Sequence, residues 1–516
     1  MAKTAKVVEY DANGKRKFGI MDKLAYAAGD LGCNMSFGLK GTVQTFWLAY
    51  MMLETGLLSA LLLAVQIWDA VNDPLIGSLI DADRRKYKMG KFKTYIFIGA
   101  CGLIIGGAAV FLPFPNAPVV IKAILFILGY IIWDAAYTTA NVPYGSMLPL
   151  ITEDGGERAQ LSSWRSIGSA IGNVLPGIIL PMLIWHKVTD EAGNPVLNPE
   201  TGVQEQILLG DRVFWAALLM GIIGFASFVF MIKKITLRVD ENTVKTNEGG
   251  ASFNVIKSFG NFMKNRPAVG ATVAAMGMFL GMQSATTAST IMFATHFGMA
   301  ELSGVIQMIG FAPAFIFIPF IKKIVDKFGK KEASVAGTLV SVLGGLIMLI
   351  FPMIPNKTAS LVVFMLGLCT FGLGMGVYTC VSWAMMGDAI DYNEWKFGAR
   401  EEGTVYSLHS FFRKLAQGIG PSAVLLIMGW LGYSSALGTG GQSATTASNM
   451  CWLVAGLYMF SAIVQFVGLA FIYNLDKKTM AEMTAYLAEK KGAAAADDTA
   501  TSDESYVEEA IDTTKE

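Results

Sequence analysis

The hydrophobic positions of this chain are grouped in long runs, at about 24–53, 56–80, 94–113, 118–148, 161–185, 213–232, 268–295, 303–321, 334–354, 359–387, 404–431 and 450–474. Each run is long enough for a helix that crosses a bilayer, some only with tilt. The pattern predicts twelve spans and an all-α polytopic membrane protein. The polar connections alternate in basic content. Residues 81–93 carry Arg84, Arg85, Lys86, Lys88, Lys91 and Lys93, and 322–331 carry Lys322, Lys323, Lys327, Lys330 and Lys331, whereas 114–117 and 432–449 carry no basic residue. Basic loops stay on the cytoplasmic side, so both termini are expected in the cytoplasm of a multi-pass protein of the inner cell membrane. The longer stretch 186–212 then lies outside, and 233–267, with Lys233, Lys234 and Arg238, lies inside.

Two halves are visible in the pattern. Gly77-x3-Asp81 and Gly90-Lys91 after the second run are echoed after the eighth by Asp326-Lys327-Phe328-Gly329-Lys330-Lys331. Tyr137 and Arg158 are echoed by Tyr378 and Arg400, about 240 residues on, which is the internal repetition from which many secondary transporters are built. The expected organisation is an N-terminal segment (1–21), a six-helix bundle (22–232), a linker (233–267), a second six-helix bundle (268–474), and a tail (475–516). That tail begins as an amphipathic segment and turns acidic, with a composition that favours disorder.

Composition sharpens this picture. The chain has 516 residues, 53% of them hydrophobic and only 16% charged, which fits lipid as the main surrounding solvent. The first ~20 residues are polar and lack an apolar segment ending in a cleavage site, so the first span is expected to be its own insertion signal. A net charge of zero gives no footprint for nucleic acid. Cys33, Cys101, Cys369, Cys380 and Cys451 stand singly in apolar segments, without CxxC spacing or a His companion, and read as small buried hydrophobes. No GxxxxGK[ST] loop, HExxH helix or nucleophile elbow occurs, so neither an enzyme nor a cofactor is expected. No obligate protein partner is inferred.

The chemistry is expected where charges interrupt apolar runs. Trp68-Asp69-Ala70-Val71-Asn72-Asp73-Pro74 puts two carboxylates and an amide on one helical face. A charge near the bilayer centre costs about 2.5–3.5 kcal/mol on insertion scales, and two acids one turn apart repel unless a proton or cation neutralises them. Na⁺ held at Asp69 and Asp73 is the expected solution, with H⁺ as the alternative. Asp134, Tyr137, Thr138 and Asn141 share a second face, whose hydroxyl and amide oxygens suit a hard cation. Asp30, Lys40, Arg165, Asp388, Arg413 and Lys414 also interrupt apolar runs, with His409 one turn before Arg413. Asp30 and Asp388 lie near span ends, where anchoring is the expected role. Arg165 is open between binding substrate and balancing Asp69 and Asp73. If Asn34 and Asn141 sit at one depth, Lys40 and Asp134 share another, and they are expected to form an ion pair in the first bundle, in competition with a substrate role for Lys40.

With Lys23-Leu24-Ala25-Tyr26, Gly29-Asp30, Gly90-Lys91-Phe92-Lys93, Asn141-Val142-Pro143-Tyr144-Gly145, Glu157-Arg158, and Asp388-x2-Asp391-Tyr392-x-Glu394 leading through Gly403 and Tyr406-Ser407 to Lys414, the chain resembles the glycoside-pentoside-hexuronide:cation symporters of the major facilitator superfamily. The resemblance covers about 20–475. It implies alternating access between two six-helix bundles and uptake of a sugar or glycoside with a monovalent cation, in contact with membrane lipid. It carries the cation site over to Asp69, Asn72, Asp73 and Thr138, and the sugar site to Asn34, Tyr137, Asn141, Arg165 and Lys414, with His409 alongside. The melibiose permeases of that family have Asp where this chain has Asn34 and Asn141, and Trp where it has Gly145. The chain is more similar to the glucuronide and xyloside carriers. A lysolipid carrier on the same fold and a non-transporting sugar sensor are the competing readings.

Overall fold

The computed structural model describes residues 14–152, 154–239, 255–398 and 402–490. The start of the N-terminal segment, much of the linker, Arg400 and the acidic part of the tail fall outside the described residues. Among the described residues, ten helices are long and apolar enough to cross a membrane, and two further helical passes, one over residues 20–49 and one over Glu402–Trp430, bring the number to twelve.

The first pass is broken. α1 (Ile20–Phe37) ends at Gly38, and α2 (Lys40–Ala49) restarts after Leu39 where Gly38 packs on Pro176. α3 (Thr55–Ala82), α4 (Lys91–Val110) and α5 (Val119–Ser146) follow, then the short α6 (Leu148–Ile151), α7 (Gly155–Ile184) and α8 (Gly210–Lys234). Asp154 caps α7, accepting from the Glu157 N–H at 2.7 Å, which satisfies one of the free donors of the first turn. Between α7 and α8 the stretch expected outside forms an antiparallel hairpin of β1 (Trp185–Lys187) and β2 (Gln206–Leu208).

The second half begins with α9 (Val255–Lys264) and α10 (Arg266–Gly277), which continues through a wider π-turn segment (278–283) into α11 (Ser284–Met292). α12 (Ser303–Phe311) passes through a 3₁₀ stretch (312–320) to α13 (Ile321–Phe328); Pro313 and Pro319 lack the N–H donors that a regular α-helix needs there. α14 (Lys330–Met348), α15 (Lys357–Phe397), α16 (Glu402–Trp430) and α17 (Ala444–Val467) complete the bundle, and residues 477–490 form a final helix. α15 runs ten residues past the apolar limit read from sequence, to Phe397, and so carries Asp388 on its extension; Lys330 pairs with that carboxylate at 2.7 Å.

Small residues set the tightest crossings. A Cβ on Gly106 of α4 would meet the Trp133 backbone of α5 at 2.6 Å, and one on Gly344 of α14 would strike the Phe371 backbone of α15. Equivalent helix pairs in the two halves therefore use the same close backbone approach, as expected where lipid supplies no hydrophobic drive between helices. The halves meet along α3 with α16, α7 with α12, and α2 with α11. One end of the molecule carries the basic loops and the other carries the β-hairpin; these are the basic end and the hairpin end below.

Candidate functional site

Two polar clusters lie midway along the helices. In the first, α3 presents Asp69, Asn72 and Asp73 toward Asp134 and Thr138 of α5, because residues three and four apart share a helical face. Asn72 is 1% exposed. Its Nδ2 donates to Asp134 Oδ2 at 3.1 Å and to Thr138 Oγ1 at 3.0 Å, and Thr138 in turn donates to Asp73 Oδ1 at 2.7 Å. Lys414 crosses from α16 to pair with Asp73, with Asp69 at 4.0 Å, while Gln66 donates to Asp69 at 2.9 Å. The carbonyl oxygen of Asn72 is buried with no hydrogen-bond partner. Two acids, a hydroxyl and this unsatisfied oxygen are hard oxygen donors, and the Lys414 ammonium rests on the acids among them.

The second cluster joins α1 to α7. Arg165 Nε donates to Asp30 Oδ1 at 3.0 Å, and its guanidinium lies 5.1 Å from the Tyr144 ring centroid. Asn34 donates to Asp30 Oδ2 at 3.0 Å and accepts from Asn173 at 2.7 Å. Tyr144 donates to the Tyr26 carbonyl at 2.7 Å, Cys33 sits 3.7 Å from the Asn141 oxygen, and Tyr137 faces Phe37. Hydroxyls, amides and a guanidinium beside aromatic faces are the groups that recognise sugar rings.

Several residues differ from their expected places. Asp30, read from sequence as an anchor near a span end, is 5% exposed and is the partner of Arg165. Arg165 therefore balances Asp30 and not Asp69 or Asp73. Lys414, expected at the sugar, rests on the acids of the cation face. The Lys40–Asp134 bridge is not formed: among the described residues Lys40 makes no ion pair within 4.0 Å, its ammonium lies 4.9 Å from the Phe37 ring centroid, and Asp134 is taken by Asn72. His409 is 5% exposed and turns away from both clusters, its Nδ1 2.9 Å from the Thr272 hydroxyl. Gln66 and Asn173, which donate to Asp69 and Asn34, were not singled out in the sequence. The available signal was their position: each is a neutral amide in an apolar helix, one or two turns from a charged residue that was.

A family model described as MFS/sugar transport protein matches residues 25–477. An uncharacterized symporter, YjmB, of Bacillus subtilis (strain 168) is 27% identical over 486 residues, covering 92% of this chain and 97% of the relative. The isoprimeverose transporter of Lactiplantibacillus pentosus is 26% identical over 462 residues, covering 88% and 89%. Among solved structures, a D-xylose-proton symporter superposes with a TM-score of 0.57 at 16% identity, covering 86% of this chain and 95% of that one, a likeness of fold.

Proposed function

Starting from the fact that the chain belongs to the MFS/sugar transport protein family, we propose that it is a symporter, coupled to Na⁺ or H⁺, that takes up a glycoside, pentoside or hexuronide by alternating access. The observation that carries the coupling is the Lys414 ammonium seated on Asp73, with Asp69 at 4.0 Å and the side-chain oxygen of Asn72 buried without a partner in the same cluster. An incoming Na⁺ takes Asp69, Asn72, Asp73 and Thr138 as ligands and displaces Lys414, which is then free to bind sugar hydroxyls. Cation and sugar thus share one residue in sequence, and each favours the state that receives the other. The cluster at Asn34, Tyr137, Asn141 and Arg165 forms the sugar side of the site.

The lysines and arginines of the loops favour a cytoplasmic basic end and, with it, cytoplasmic termini. Sugar identity draws on the name of the isoprimeverose transporter among the relatives. Na⁺ is preferred to H⁺ because four oxygen-bearing side chains converge, whereas a proton needs only one acid.

The test is sugar counterflow and uphill uptake in proteoliposomes. Asp69→Asn and Asp73→Asn are expected to abolish Na⁺-driven accumulation while leaving sugar exchange. Wild-type accumulation in either variant would place the cation elsewhere. Uptake indifferent to Na⁺ but collapsed by a protonophore would reassign the coupling ion to H⁺.

A further inference from the structure

Where α3 crosses α16, the two halves touch along a ladder of residues that ends at the cation face. The two helices run in opposite directions, so Ser59, Gln66 and Asp73, two turns apart along α3, meet Ser422, Gly418 and Lys414, one turn apart along α16. Ser59 donates to the Ser422 carbonyl at 2.8 Å toward the hairpin end, and Lys414 pairs with Asp73 at the other end of the ladder. Between them stands Gln66 against Gly418. A Cβ on Gly418 would strike Cγ and Cδ of Gln66 and stand 2.7 Å from its Oε1. Glycine is a poor helix former, and this close approach accounts for its place in α16: the bare backbone makes a wall for the glutamine stem.

That wall matters because of what the amide holds. Gln66 donates to Asp69 Oδ2 at 2.9 Å, and among the described residues no other side chain donates a hydrogen bond to this carboxylate. The rest of the cation face is held from inside the first half. Thr138 donates to Asp73, and Asn72 donates to Asp134 and Thr138, all between α3 and α5. Movement of one half against the other leaves those bonds alone. Gln66 is placed differently: its acceptor lies one turn away on its own helix, but what confines its side chain belongs to the opposite half. A glutamine has three rotatable bonds, and the space beside it is a cavity of about 210 Å³ that Gln66, Asp69 and Gly418 line together. Without α16 behind it, the amide gains rotamers into that space and leaves Asp69.

We infer that Gln66 is a positioning residue for the coupling cation, and that Gly418 holds it to that task only while the hairpin end is closed. The inference rests on the cation-symporter reading and deepens it. Once Lys414 is released to the sugar, the contact of Gly418 with Gln66 is the second half's remaining hold on Asp69. Closure then orients the carboxylate and raises cation affinity, and by reciprocity the bound cation favours closure by the same factor. This is the order that uptake needs, since a loaded carrier must shut its outer end before the inner end releases the cargo.

The test uses the full chain with Na⁺ alone as the probe, so that it does not depend on any sugar. All variants carry Lys414→Gln, which removes the ammonium that competes for the same acids, and Thr287→Cys as reporter, the five native cysteines being replaced by Ser. Two quantities are read: equilibrium binding of radioactive Na⁺ to reconstituted protein, and labelling of the reporter by an impermeant maleimide from the hairpin side of right-side-out vesicles. In this parent chain Na⁺ is expected to slow labelling at least fivefold. Gln66→Ala and Gly418→Ala should each weaken Na⁺ binding at least fivefold and, at Na⁺ concentrations that restore occupancy, leave a slowing of less than twofold. Gln66→Ala with Gly418→Ala should bind Na⁺ no more weakly than Gln66→Ala alone, because the added methyl then has no amide to displace. Losses that add in the double variant, or labelling that Na⁺ slows in Gln66→Ala as much as in the parent, overturn the inference. If Gly418→Ala does not fold, the labelling of Gln66→Ala decides alone. Absence of Na⁺ binding both with and without Lys414→Gln overturns Na⁺ coupling itself and this inference with it, whereas Na⁺ binding that neither single variant weakens overturns the inference alone.

Discussion

At the scale of single residues, the decisive pairings cross between helices far apart in sequence. Lys414 is separated from Asp73 by 341 positions, and no spacing rule connects them. If its ammonium occupies the place of the coupling cation, removing it should tighten cation binding and weaken sugar binding. Unit charges 4 Å apart interact by about 4 kcal/mol at an effective dielectric of 20. Both side chains are 35% exposed, so solvent screening reduces this several-fold. Lys414→Gln is accordingly expected to lower the Na⁺ concentration for half-maximal sugar exchange about tenfold, roughly 1.4 kcal/mol. A higher Na⁺ requirement would show that Lys414 helps to hold the cation. Arg165 and Asp30 make a second prediction. Either neutralised alone leaves the other charge, the buried Asp30 or the partly exposed Arg165, without its partner, which is typically worse than losing both. Asp30→Asn with Arg165→Gln should therefore retain more folded protein in a detergent thermal shift than either single change; additive losses would mean that the two do not act as a pair.

At the scale of elements, much was legible because each span must satisfy its own backbone in lipid, which forces long apolar runs with polar punctuation. The passes appear close to where hydropathy put them, and the face of Asp69, Asn72 and Asp73 was readable because helical spacing fixes it. Less legible was whatever depends on neighbours. The break at Gly38 lies inside a single apolar run, and only packing on Pro176 of α7 reveals it. Without that break, depth alone suggested a bridge from Lys40 to Asp134. The loop after α3 offers a test at this scale. The hydroxyls of Tyr87 (2.5 Å) and Tyr95 (2.6 Å) and the Arg85 N–H (2.9 Å) hold the Asp83 carboxyl down at about 2. A carboxyl lowered on folding contributes above its unfolded value near 4, and the contribution is lost as pH falls through about 2. Hydrogen exchange of the 83–90 turn should thus be equally protected at pH 7 and pH 5 once corrected for intrinsic rates. Asp83→Asn should lose that protection at both, and protection that already fades by pH 5 in wild type would contradict the assignment.

For the molecule as a whole, the question is what holds one end shut. Every hydrogen bond between the halves among the described residues lies in the middle or at the hairpin end. There Thr287 of α11 donates to Gln44 of α2 at 2.9 Å, and Ser59 of α3 donates to the Ser422 carbonyl of α16 at 2.8 Å. The β-hairpin adds its own clasp onto the opposite half. Asn198 donates to the Gln442 carbonyl at 3.1 Å, Gln206 accepts from the Ala300 N–H at 2.6 Å, and Lys187 pairs with Glu301 at 2.9 Å. Under the alternating access proposed above, all of these break together in each cycle. With a net worth of about 1 kcal/mol per hydrogen bond, Asn198→Ala with Gln206→Ala should weaken closure by about 1–3 kcal/mol and populate the state open at the hairpin end roughly tenfold more. The readout is a single reporter, Thr287→Cys, in a chain whose five native cysteines are replaced by Ser. A membrane-impermeant maleimide added from the hairpin side of right-side-out vesicles should label that cysteine faster in the Asn198→Ala, Gln206→Ala background. Sugar, which must pass through the closed states, should slow the labelling in both backgrounds. Labelling at the same rate with and without the two clasp residues would mean that the hairpin merely covers the seam, and that closure is decided by the helices beneath it.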